Sequence, residues 1–128
     1  MEGVNKATST RPNPEPYWDE DLNVPTPNYP AKYMLCRVRL YRDGSGNTVA
    51  LVTELARNPG ASVTNVAEHV WKSLTRLLRT DRFTMVEHYD GGSYQDRAGN
   101  ETFEQVWVEH GRPSWKHLGA EGFRELLG

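Results

Sequence analysis

The sequence predicts an α+β domain. The expected architecture is an antiparallel four-stranded sheet in the order β-β-α-β-β-α, with one long helix packed on one face and a short C-terminal helix. Three observations carry this reading. Residues 33–41 alternate at period two, residues 63–79 carry a single apolar stripe at helical period, and turn-forming clusters separate the periodic segments.

In the first strand Met34, Cys36, Val38 and Leu40 share one face, and Tyr33, Leu35, Arg37, Arg39 and Tyr41 share the other. The run Arg42-Asp43-Gly44-Ser45-Gly46-Asn47 is turn chemistry, and β-branched residues resume from Thr48 to Leu55, so the two segments read as a hairpin. Asn58-Pro59-Gly60 stops the second strand. Val63, Val66, Ala67, Val70, Leu74, Leu77 and Leu78 then fall on one helical stripe, which predicts a helix over 63–79. Ser62 or Thr64 suits its N-cap, while Arg76 and Arg79 suit the negative end of its dipole. Phe83–Tyr89 and Thr102–Glu109 read as the third and fourth strands, and Gly111-Arg112-Pro113 ends the fourth. Between them runs a long polar loop. Ala120–Leu127 closes the chain with Phe123, Leu126 and Leu127 on its inner side.

The N-terminal stretch reads differently. Six of the eight prolines lie before Lys32, and residues 1–31 carry five acids against Lys6 and Arg11. That gives the stretch a net −3 and leaves +1 for residues 32–128 of the total −2. Proline at this density disfavours helix and sheet. The expected organisation is therefore an acidic, Pro-rich extended arm over 1–31 and a single α+β domain over 32–128. A chain of 128 residues and 14.6 kDa suits one core.

Several function classes drop out. The near-neutral total argues against binding nucleic acid by bulk charge, though a local basic face remains open. No apolar run approaches the roughly 18–20 residues of a membrane span, and the opening residues lack a secretory signal core, so a cytoplasmic protein without a membrane partner is expected. A single cysteine rules out an internal disulfide and an all-cysteine zinc cluster. Between Met34 and Val38, Cys36 reads as a small core hydrophobe rather than a nucleophile.

His69, His88, His110 and His117 make no HxH, HExxH or i,i+4 pair, so neither a metal nor a cofactor is expected. The loop from Asp90 fails the calcium pattern, with Gly92 and Tyr94 at positions that need oxygen ligands and Gln95 where glycine belongs. Gly91-Gly92-Ser93 lacks the ending of a phosphate loop. His88, Asp90 and His110 could still converge on neighbouring strands.

The outer face of the first strand carries Tyr33, Arg37, Arg39 and Tyr41, and the helix adds Lys72, Arg76 and Arg79. Aromatic rings interleaved with arginines can stack bases and neutralise phosphates. They can equally cover an apolar sheet surface with arginine stems and tyrosine rings. Tyr17 and Trp18 followed by Asp19, Glu20 and Asp21 give the arm a docking element, since disordered tails are poor in aromatics. Folded back, its acids would meet Arg37 and Arg39; otherwise it would dock on another protein.

Three functions follow in order. The first is a small protein-interaction or accessory module without catalysis, binding another protein or itself as a homodimer. The second is a single-stranded nucleic-acid binder using the aromatic and arginine face. The third is a small enzyme or ligand binder with a pocket near His88, Asp90 and His110.

Overall fold

The computed structural model describes residues 15–25, 33–56, 63–89 and 101–128. Within them the chain forms β1 (Trp18–Pro25), β2 (Tyr33–Arg42), β3 (Thr48–Ala56), α1 (Val63–Leu78), β4 (Thr84–Tyr89), β5 (Thr102–Glu109), β6 (Arg112–His117) and α2 (Gly119–Leu127). All six strands join one sheet whose spatial order follows the chain. β3 and β4 pair in parallel, and every other neighbouring pair is antiparallel.

This corrects the expected four-stranded antiparallel sheet with helices on one face. The sheet is mixed and has two more strands, and helices lie on both of its faces. β1 comes from the stretch that proline seemed to exclude from any sheet. No proline lies between Trp18 and Val24, and Leu22 and Val24 pair with Cys36 and Met34 of β2. Val24 is completely buried, and Trp18 and Leu22 pack on the same core. β6 contains Pro113, which an edge strand tolerates because half of its N–H groups have no ladder partner. The parallel pair follows from the connection: a helix returns the chain from the end of β3 to the start of β4, where a tight hairpin would reverse it.

The two faces carry separate cores. On one, Met34, Cys36, Val38 and Leu40 of β2 join Ala50, Val52, Met85 and Val106 against Ala67, Val70 and Leu74 of α1. On the other, Tyr41, Val49, Leu51, Val86 and Phe103 pack against Phe123 and Leu127 of α2. The result is three layers, helix on sheet on helix. Val49, Ala50, Leu51 and Val52 are all buried, the unbroken apolar run of a strand covered on both faces.

α1 runs over Val63–Leu78, sixteen residues or about 24 Å, close to the span of 63–79 expected from the apolar stripe. It touches β1, β5 and β6, so the sheet curls around it and that face is concave. Burying Val70 and Leu74 contributes about 1.5–3 kcal/mol each. The propensity penalty of β-branched residues is below about 0.7 kcal/mol each, so packing rather than propensity holds this helix. Arg79, at φ 58°, ends it in the left-handed region.

Both hairpin turns at the opposite end of the sheet are locally specified. Asp43 Oδ1 accepts hydrogen bonds from the Ser45 and Asn47 amides at 2.8 and 2.9 Å. These donors lower the Asp43 pKa, the Asn47 amide most. His110 and Gly111 both have positive φ, 53° and 75°, and form the two-residue link between β5 and β6 that strand twist favours.

Candidate functional site

β1, β3 and β4 all finish at one end of the sheet, the end at which β2 and β5 begin. Two polar clusters lie there, back to back on the two faces.

The concave-face cluster centres on Glu87. It is 7% exposed, and Glu54 of β3 is 8% exposed. The Tyr89 hydroxyl donates to Glu87 Oε1 at 2.9 Å, and Trp115 Nε1 of β6 donates to the same oxygen at 3.4 Å. Burial pushes the Glu87 carboxyl above its ordinary range, the two donors oppose that shift, and the charges of Glu54 and Glu104 add to it. The Tyr89 phenol is also raised, first by burial and then by the Glu87 charge. Strand alternation explains the grouping, since Glu87 and Tyr89 sit two positions apart and Glu87 pairs with Glu104 across to β5.

The opposite-face cluster runs in a line. Thr53 Oγ1 lies 3.1 Å from His88 Nδ1, and His88 Nε2 lies 3.7 Å from Glu101 Oε1. The imidazole stacks on Phe103 at a centroid distance of 4.5 Å, and Phe103 stacks on Phe123 of α2 at 5.2 Å. Hydroxyl, imidazole and carboxylate stand in the order of a hydroxyl-activating triad, but the step to Glu101, at 3.7 Å, is longer than a hydrogen bond. Thr53 itself is buried, at 7% exposure.

The residues singled out from the sequence separate into groups. Arg37 and Arg39 lie on the α2 side of the sheet beside β1, with Arg37 Nε 3.4 Å from Asp21 and 3.8 Å from Asp19, and Arg39 Nε 3.6 Å from Asp19. Tyr17 does not join that surface: its ring lies 4.6 Å from the Arg42 guanidinium, and both side chains reach Thr48, which pairs with Arg42 on the α1 side of the sheet. Glu20 and Trp18 also point to the α1 side, where Trp18 packs on the core with α1. Tyr41 is not on an open surface. It is 7% exposed beneath α2, edge-on to Phe123 at 5.8 Å, and burial raises its phenol pKa. Lys72, 3.3 Å from Glu68, and the exposed Arg76 and Arg79 belong to α1 or its end, across the sheet from Arg37 and Arg39. The basic residues therefore form two surfaces, not one. The side chain of Tyr33, the Ser62 and Thr64 caps and the whole loop 90–100, including Asp90, lie outside the described residues.

His88 and His110 do not come together. Phe103 pairs with His88, and Glu109 precedes His110 at the far end of β5, about 20 Å along the strand. Among the described residues no group of three His, Cys, Asp or Glu side chains is placed to hold a metal ion.

Sequence reasoning missed Thr53, Glu54 and Glu87, and it connected neither Glu101 nor Trp115 with this end of the sheet. A signal for Glu87 was present: it interrupts the apolar run Met85-Val86 on a strand flanked on both sides in the sheet. No protein-family model, no curated protein and no solved structure matches this chain.

Proposed function

We propose that the protein is a protein-binding module without catalysis, and that its binding surface is the uncovered part of the sheet over β1 and β2. The observation behind this reading is the ladder of solvent-accessible, alternating charges formed by Asp19 and Asp21 against Arg37 and Arg39. α2 packs on residues of β2 to β5 and leaves this ladder open to solvent. Arginine is enriched where proteins meet. The aspartates offset the positive charge that a phosphate backbone would need, which ranks single-stranded nucleic acid lower.

The test is affinity purification from the cells that make the protein, comparing wild type, an Arg37→Ala/Arg39→Ala variant and an Arg76→Ala/Arg79→Ala control. A protein retained by wild type and control and lost from the ladder variant supports the reading. Equal retention by all three, or no specific protein, rejects it. Binding of random single-stranded RNA that weakens steeply with salt would favour nucleic acid instead.

The Thr53–His88–Glu101 line supports a second reading, a small enzyme or ligand binder. Its check is a thermal-shift screen of esters and acyl compounds against wild type and His88→Gln; shifts common to both remove His88 from any site.

A further inference from the structure

The two edges of the sheet carry opposite charge. β1 presents Asp19, Glu20 and Asp21, and β6 presents Arg112, Lys116 and His117. Followed through the pairings, both edge strands run in the same direction. The same pairings place Trp18 and Leu22 on the concave face with Trp115, and Asp19 and Asp21 on the opposite face with Arg112 and Lys116.

A second copy in the same orientation therefore fits the first. Its β1 lies parallel to the first copy's β6, with Asp19 and Asp21 facing Arg112 and Lys116 on one face and Trp18, Glu20 and Leu22 facing Trp115 and His117 on the other. Symmetric joints lack this match. β1 against β1 sets aspartates near aspartates, and β6 against β6 sets Arg112 near Lys116.

We propose that the protein associates with further copies of itself head to tail, β6 of one against β1 of the next. Both edges carry main-chain groups on their outer side, which such a joint would pair. Main-chain bonds supply adhesion, and the charges select partner and polarity. Pro113 removes one donor, and the charged side chains are exposed, so the contact is weak and screened over about 8 Å at physiological salt. A head-to-tail joint leaves both outer edges free, so assembly continues beyond a dimer unless rotation closes a ring. The proposal goes beyond the binding reading above. It shares Asp19 and Asp21 with the ladder, but it needs Lys116 and Arg112 where the binding reading needs Arg37 and Arg39, so Lys116→Glu tests one and Arg37→Ala/Arg39→Ala the other.

Light scattering on the full chain over a concentration series tests it. The average mass should rise past that of a dimer at low salt and fall back to a monomer at about 0.5 M salt. Lys116→Glu alone, or Asp19→Lys with Asp21→Lys, should each require about tenfold more protein to assemble. An equal mixture of the two variants should recover assembly, because each reversed edge then meets its complement. Thermal unfolding confirms that each variant folds; Arg112→Glu replaces the β6 variant, and Asp21→Lys alone the β1 variant, where either does not. A mass that stays monomeric at low salt, one that stops at a dimer, or a mixture without recovery overturns the proposal.

Discussion

The Tyr89 hydroxyl donates to the Glu87 carboxylate at 2.9 Å across adjacent concave-face positions of β4. Two donors do not offset the burial of this carboxyl, whose pKa stands above its ordinary value. A group raised on folding contributes stability that is complete below its unfolded pKa, near 4.3, and is lost as pH rises through the folded value. Glu87 is therefore a liability at neutral pH. Glu87→Gln keeps an acceptor for Tyr89 and Trp115 and removes the charge. It should raise stability at pH 7 by about 1 kcal/mol and flatten the loss between mildly acidic and neutral pH, as read by urea unfolding across that range. Glu87→Ala leaves both donors unmatched and should cost about 1–3 kcal/mol.

The second prediction concerns β1. Val24 is completely buried among the side chains of β2 and α1. Val24→Ala should cost about 1–2 kcal/mol in chemical denaturation, with the unfolding slope unchanged. An extended arm outside the core would give no change.

Why β1 escaped the sequence is physical. Its three consecutive acids mask the period-two signal of Trp18, Leu22 and Val24, and the prolines around it suggested that none of the stretch could pair. The acids are tolerated because β1 is an edge, where charge costs little desolvation. β6 escaped because Gly111-Arg112-Pro113 has the composition of a strand stop, although Arg112–His117 pairs with β5 along its whole length. The alternating pattern of β2 and the apolar stripe of α1 were legible because each has one buried face. The run Val49–Val52 held a further clue, since four buried residues in succession need cover on both faces. The site was less legible than the fold. Glu54, Glu87 and Trp115 come together only through pairings between distant segments, and the Thr53–His88 contact spans the parallel β3–β4 pair.

The third prediction concerns the charge ladder. Asp19 and Arg39 sit 3.6 Å apart with 45% and 31% of their side chains exposed. A double-mutant cycle of Asp19→Ala and Arg39→Ala should give a coupling energy of about 0.2–1 kcal/mol that fades in high salt. A larger, salt-insensitive coupling would mean that the ladder holds the fold together and is not free to engage a partner.

The fourth prediction concerns Tyr41, whose phenol is raised chiefly by burial beneath α2. Phe123 closes over its ring. A phenol raised on folding contributes stability that is complete below its unfolded pKa, near 10, and is lost as pH climbs through the folded value. Tyr41→Phe keeps the ring against Phe123 and removes the ionising group. Its alkaline unfolding midpoint should move to higher pH, and one late-titrating phenol should disappear from the ultraviolet spectrum. Phe123→Ala should act the other way. It opens the cover, costs about 3 kcal/mol at neutral pH, and lets the Tyr41 phenol titrate nearer its ordinary value. If Phe123→Ala leaves the late-titrating phenols unchanged while Tyr41→Phe removes one, α2 is not what keeps Tyr41 from water.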